Sequence, residues 1–186
     1  LCQPTFFQAI EITMIRFLYS PGISGLFLMF ILVAVEACNG YAGINPSELN
    51  FPRDIKVSIF ANNVPKARHM TFDDQGILFL SLTRKGRVVA LPDTDNNGKA
   101  DKTVTLLKGH RSPHGLAFVQ LGTGYYLYIA EELQVIRMKR LKKPLTYGEP
   151  EVVLSGIPSG GHYTRTIKIK DGQLFLSVGS SCNVCQ

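Results

Sequence analysis

The chain has 186 residues, 45% of them hydrophobic and 18% charged, which supplies enough apolar surface for a core and excludes a disordered chain. The formal charge of +6 raises nucleic-acid binding, but the local excess lies in one run, "RMKRLKK" at 137–143. No aromatics interleave with that run and no helix-turn-helix or zinc-finger pattern surrounds it, so it reads as a solvated segment and not a nucleic-acid surface.

In chain order, residues 1–13 ("LCQPTFFQAIEIT") read as upstream sequence outside the fold. From Met14 the text changes: Arg16 precedes ten apolar residues, Leu26 to Val35, a run too short for a membrane span and suited to an export signal. Val35 and Ala37 occupy the −3 and −1 positions of a cleavage before Cys38. "VEAC" also resembles a lipobox, in which Cys38 would carry lipid and attach the chain to a membrane, although Glu36 fits that pattern poorly. Residues 14–38 are therefore expected to be a signal peptide, 39–52 a polar linker, and the compartment exported, periplasmic or outer-surface, and oxidising.

Beyond the linker, short apolar runs alternate with Gly, Pro, Asn and Asp turn signals, with no long 3.6-residue period; this predicts an all-β domain over 53–186. Three segments stack: Ala67–Leu82, Pro113–Ala130 and Thr164–Val178. Each carries an apolar–polar–apolar triplet, a turn and a hydrophobic strand. The second strands register on Leu78, Leu127 and Leu174, 49 and 47 residues apart, the period of a β-propeller blade. "GRVVALP" (86–92) and "LQVIRMK" (133–139) are predicted as third strands, and "KVSIFA" (56–61), "KTVTLL" (102–107) and "PEVVLS" (150–155) as outer strands. A β-sandwich accommodates such strands but does not predict the repeat. The length holds roughly three blades, and a propeller closes with 4–8. The expectation is a partial propeller cut inside a repeat at the C-terminal end.

"DTDNNGKAD" places Asp93, Asp95, Asn97 and Asp101 at spacings suited to a Ca²⁺ loop, with Gly98 at the sharp turn; position twelve is Val104 and not Glu, and an Asx-rich hairpin turn is the alternative. His69 and His114 hold nearly equivalent places before inner strands and suggest the propeller rim. His110 sits in a loop with no evident partner. His162, in "SGGHYTRT", has small residues before it and a phenol, a hydroxyl and a cation after it (Tyr163, Thr164, Arg165). An imidazole there is a candidate general base. No G-x-S-x-G, P-loop or G-x-G-x-x-G pattern occurs, which sets aside the common hydrolase and nucleotide-dependent classes.

The residues "GIPSGGH", "DGQLFLSVGSSCNVC", "DTDNNGKADK" and "PHGLAF" together resemble the glucose/sorbosone dehydrogenase family, most of all its sorbosone-dehydrogenase-like branch, over about Asn50 to Gln186. The resemblance implies a six-bladed propeller that oxidises a sugar or sugar aldehyde with pyrroloquinoline quinone (PQQ) and Ca²⁺. Electrons would pass to an external acceptor such as a cytochrome or quinone. It also implies His162 as the catalytic base, with His114, Tyr163 and Arg165 as substrate-rim candidates. The main quinone and cofactor-calcium ligands would come from later blades, so this piece by itself is expected to be inactive. The Asp93–Asp101 loop, on a blade connection, is not expected to be the cofactor's calcium site. A calcium-dependent sugar lactonase and a non-catalytic propeller binding protein or glycan stand as alternatives.

The terminal "SSCNVCQ" pairs Cys182 with Cys185. Zinc would need two further ligands, and a thioredoxin-like dithiol would need a following helix, so in an exported chain an oxidised pair fixing a local turn is expected.

Overall fold

The computed structural model describes residues 48–181, which fall within one compact unit. The expected signal segment, Cys38, Cys182 and Cys185 lie outside the described residues. Among the described residues the fold is all-β, with ten strands in chain order. They are β1 (Ala67–Phe72), β2 (Leu78–Leu82), β3 (Arg87–Leu91), β4 (Val104–Lys108), β5 (Leu116–Leu121), β6 (Gly124–Ala130), β7 (Gln134–Lys139), β8 (Glu151–Ser155), β9 (Arg165–Lys170) and β10 (Gln173–Val178). They form two four-stranded antiparallel meanders, β1-β2-β3-β4 and β5-β6-β7-β8, and a hairpin, β9–β10. The meanders are two propeller blades and the hairpin supplies the first two strands of a third.

The repeat read from the sequence is the repeat of the structure. Phe72 pairs with Leu78, Phe118 with Leu127, and Ile169 with Leu174. Even the irregularities recur, since the third-to-fourth strand ladder shifts register at Val88/Val89 in the first blade and Val135/Ile136 in the second. Asp171 and Gly172 turn the last hairpin with φ of 51° and 74°, the paired left-handed conformations that a two-residue hairpin turn demands.

Alternation explains why strands such as "LFLSL" are apolar on both faces. Phe79, with Val88, Ala90 and Leu107, faces Leu116, Leu127, Ile129, Ile136 and Met138 of the second blade. Leu80 and Leu82, one residue out of phase, pack with Val89 and Leu91 on the opposite face. A second layer joins Ala117, Tyr128, Ala130 and Val135 to Ile167 of β9. Leu127 and Ile129 are fully buried, each contributing ~1.5–3 kcal/mol by removal from water. The outward sides are open: Met70 and Phe72 on β1, Val152–Leu154 on β8 and Phe175 on β10 are all exposed.

One predicted strand is absent. Lys56–Ala61 has no ladder partner among the described residues; the Ala100 N–H donates to the Phe60 carbonyl at 2.8 Å. Ile55, Val57 and Ile59 alternate as in a strand but face water, because a strand needs a neighbour's N–H and C=O groups as well as the pattern.

Candidate active site

In a meander, successive connections alternate between the two ends of the sheet. The β2–β3 and β4–β5 connections therefore share one end, and the β1–β2 and β3–β4 connections share the other. Contacts across blades extend this sorting. The His110 N–H meets the Gly86 carbonyl, Gly115 N–H meets the Arg165 carbonyl, and Arg84 Nε lies 3.3 Å from the Tyr163 hydroxyl. The β8–β9 connection carrying His162 thus lies at the same end as Arg84, His110 and His114. The Asp93–Asp101 loop, between β3 and β4, lies at the other.

His162 is exposed, yet its backbone is fixed. Its N–H donates to the Ser180 carbonyl at 2.9 Å, continuing the β9–β10 ladder past its end. That approach explains two glycines. A Cβ at Gly161, whose φ is +56°, would collide with the Ser181 carbonyl, and one at Gly179 would lie 2.6 Å from the His162 carbonyl oxygen. Farther back, Ile157 is buried and its N–H reaches the Leu133 carbonyl.

Arg165 is not a rim residue, contrary to the sequence expectation. It is fully buried, and its guanidinium donates from Nε to the Glu132 carbonyl (3.1 Å), from Nη1 to the carbonyls of His162 (2.7 Å) and Thr164 (3.0 Å), and from Nη2 to that of Pro158 (2.6 Å). A planar fork of five donors suits this convergence of backbone acceptors. Tyr163 is half-buried and accepts from Arg84.

His114 is buried with Nδ1 3.1 Å from the Arg165 carbonyl; a carbonyl only accepts, so Nδ1 carries the proton and Nε2 the lone pair. His69 is the reverse: its Nδ1 accepts from the Leu116 N–H at 3.3 Å, which places the proton on Nε2 in the neutral ring. The rings lie 5.6 Å apart. Burial is the main reason both titrate below the usual histidine value; His114 and Lys168 add to it at His69, and Arg68 adds to it at His114 against the Arg165 carbonyl. Both are therefore neutral near pH 7, complementary as donor and acceptor.

His110 has a partner that the sequence does not show. Its Nδ1 lies 2.5 Å from Oε1 of Glu131, a carboxylate only 2% exposed whose Oε2 accepts from Gln134. The pair ties the β4–β5 connection of one blade to the β6–β7 turn of the next. Gly86 makes room for it, since a Cβ there would meet the His110 carbonyl at 2.5 Å. Glu131 is the residue that sequence reasoning missed as part of this end. The repeat of His69 and His114 was visible, but the 21-residue spacing of the His110–Glu131 pair carries no periodic signal.

At the other end, the carboxylates of Asp93, Asp95 and Asp101 lie with one oxygen each within 4.8 Å of one another, close enough to meet one cation. The same carboxylates already close the loop. Asp93 accepts from the N–H groups of Asn97 and Gly98, Asp95 from the Asn97 N–H and side chain, and Asp101 from the Thr94 hydroxyl and N–H. The Asn97 side-chain oxygen accepts from Lys99 N–H. The Thr94 hydroxyl, then its N–H, hold the Asp101 carboxyl below the usual carboxylate range. This end also holds a cleft of about 290 Å³ lined by Asp73, Gln75, Arg140, Lys142 and Tyr147 among others. The cations of the basic run engage locally: Arg137 pairs with Glu151, and Arg140 with Asp74 over the Tyr125 ring.

Repeated four-stranded meanders, packed face to face with first strands side by side, define a β-propeller whose exposed, backbone-fixed histidine marks one end as the candidate site. The chain belongs to the TrAA12-like family, whose model matches residues 49–186. No curated protein matches it. Among solved structures it is similar to a Trichoderma reesei carbohydrate-active enzyme of family AA12, in an iodide structure (23% identity, TM-score 0.58, covering 68% of this chain and 33% of that one). A calcium structure of the family AA12 protein gives 23% identity and a TM-score of 0.57, covering 67% of this chain and 32% of that one. The holo form of the pyranose dehydrogenase PQQ domain from Coprinopsis cinerea gives 20% identity and a TM-score of 0.57, covering 67% and 30%. The chain thus spans about a third of the length of these structures. The likeness is to AA12 and pyranose dehydrogenase proteins, and does not single out the sorbosone branch expected from the sequence.

Proposed function

We propose that the protein is a quinoprotein sugar oxidoreductase in which His162 is the general base. One observation carries this reading: in a chain of the TrAA12-like family, His162 is exposed at one propeller end while its backbone is held on both sides, by the Ser180 carbonyl and by Arg165. The structural likeness to an AA12 protein and to a PQQ domain supports the cofactor class. PQQ is a planar polycarboxylate, and the exposed guanidinium groups of Arg68 and Arg84 at the His162 end suit its charge. Bound with Ca²⁺, it would supply the two-electron acceptor and a Lewis-acid-polarised carbonyl. The Asp93–Asp101 loop, at the opposite end, is not that calcium's site in this reading.

His162 handles the proton. The hydroxyl of a sugar hemiacetal, or of a hydrated sugar aldehyde, gives its proton to the imidazole as the adjacent carbon is oxidised by two electrons. A base competent near neutral pH is what this step requires, and it is worth about 10²–10⁴ in rate. Export through residues 14–38, with Cys182 and Cys185 oxidised and electrons leaving to an external acceptor, belongs to the same proposal.

Reconstitution of the full-length protein with PQQ and Ca²⁺, followed by dye reduction with pyranoses, other aldoses and sorbosone, tests it. Quinone-dependent turnover, lost in His162→Ala at equal quinone loading, is the expected result. Failure to bind quinone, or bound quinone without turnover, points to a non-catalytic propeller. Calcium-dependent lactone hydrolysis without quinone points to a lactonase.

A further inference from the structure

Arg165 is a cation taken wholly out of water with no carboxylate partner among the described residues. Burying a charge this way is costly unless its hydrogen bonds are well satisfied, and here four backbone carbonyls do so. Their positions are informative. Three of them, Pro158, His162 and Thr164, lie along one connection whose neighbouring residues include Gly156, Gly160 and Gly161, all at positive φ. Each of these glycines has more backbone freedom to lose on folding than another residue would in its place. The fourth, Glu132, lies in the β6–β7 turn of the preceding blade.

We propose that Arg165 is the positioning residue for His162: it converts a glycine-rich connection into a fixed platform by bonding the His162 carbonyl and the connection on either side of it, and anchors that platform to the neighbouring blade through Glu132. His114 extends the anchor, its Nδ1–H bonding the carbonyl of Arg165 itself at 3.1 Å. The guanidinium touches neither substrate nor cofactor; it sets where the imidazole stands. Lysine keeps the charge but cannot present donors in four directions from one plane. The inference deepens the reading of His162 as base and rests on it.

The test compares Arg165→Lys with wild type and His162→Ala in full-length, quinone-loaded protein. Arg165→Lys should lower kcat by about 10–100-fold, the cost of displacing a reacting group by an ångström or so, while KM for the sugar and quinone stoichiometry change little. A wild-type kcat in Arg165→Lys, with His162→Ala inactive, overturns the positioning role and leaves the base intact. An active His162→Ala overturns the base reading instead. Amide hydrogen exchange of the unsubstituted protein needs no variant to fold. The N–H groups of Ile157 and His162 should be protected to the level of β9, although they sit in a glycine-rich connection. Exchange as fast as in the 93–101 loop overturns the proposal.

Discussion

At the His162 end, buried polar groups reach from one blade to the next: Arg165 to Glu132, His110 to Glu131, His114 to the Arg165 carbonyl. At the other end, the Asp93–Asp101 loop closes on itself in water, while Arg140 crosses between blades to the exposed Asp74 and lies 3.9 Å from the buried Asp73. Both loops lie above the same apolar layers, yet the His162 connection is fixed through desolvated groups and the Asp93–Asp101 loop is not. The difference is one of stiffness. A loop held by its own Asx bonds can move as a body, whereas one tied to a neighbouring blade by a buried donor cannot shift without orphaning that donor.

The comparison makes graded predictions. The largest is at Glu131. Replacing it with Ala leaves His110 and Gln134 without their shared acceptor and should cost about 3–5 kcal/mol in urea unfolding, since breaking a buried pair costs far more than the pair contributes. A loss below about 1 kcal/mol would place this pair with ordinary surface contacts.

Next in size is a pH effect. His69 and His114 titrate below 6.5 in the fold, so unfolding takes up protons as pH falls. Their contribution is full above about pH 6.5 and is lost as pH drops through the folded-state values. The urea midpoint should fall in this window, before the carboxylates begin to titrate, and His114→Gln should flatten the slope. An unchanged slope would mean that the desolvation seen at these rings is relieved in solution.

The smallest expected effect is at the far end. Asp101→Asn leaves Thr94 an acceptor oxygen at an exposed position and should change neither the melting midpoint nor turnover measurably. A loss of turnover there would break the separation of the two ends.

Much of the scaffold was legible in the chain, and the reason is periodicity. Each blade repeats the same two-residue alternation, so registering Leu78, Leu127 and Leu174 placed the second strands on β2, β6 and β10. Lys56–Ala61 shows where the pattern runs out, because alternation does not supply a partner strand. The site was legible only in part. The small residues before His162 stood out in the sequence, but what Gly161 makes room for is the Ser181 backbone. Arg165, beside His162 in sequence, was read as facing substrate; the register of β9 turns it inward instead, toward carbonyls up to 33 residues away. Contacts between blades follow from packing, and no spacing in the chain encodes them.

The central claim, that the His162 end is built to deliver a base, is tested most directly by a single-turnover measurement. Quinone-loaded wild-type and His162→Ala proteins are mixed with a saturating pyranose, and quinone reduction is followed spectroscopically. The account predicts reduction slower by about 10²–10⁴ in the variant, with the sugar concentration dependence unchanged. Equal rates in the two proteins would contradict it.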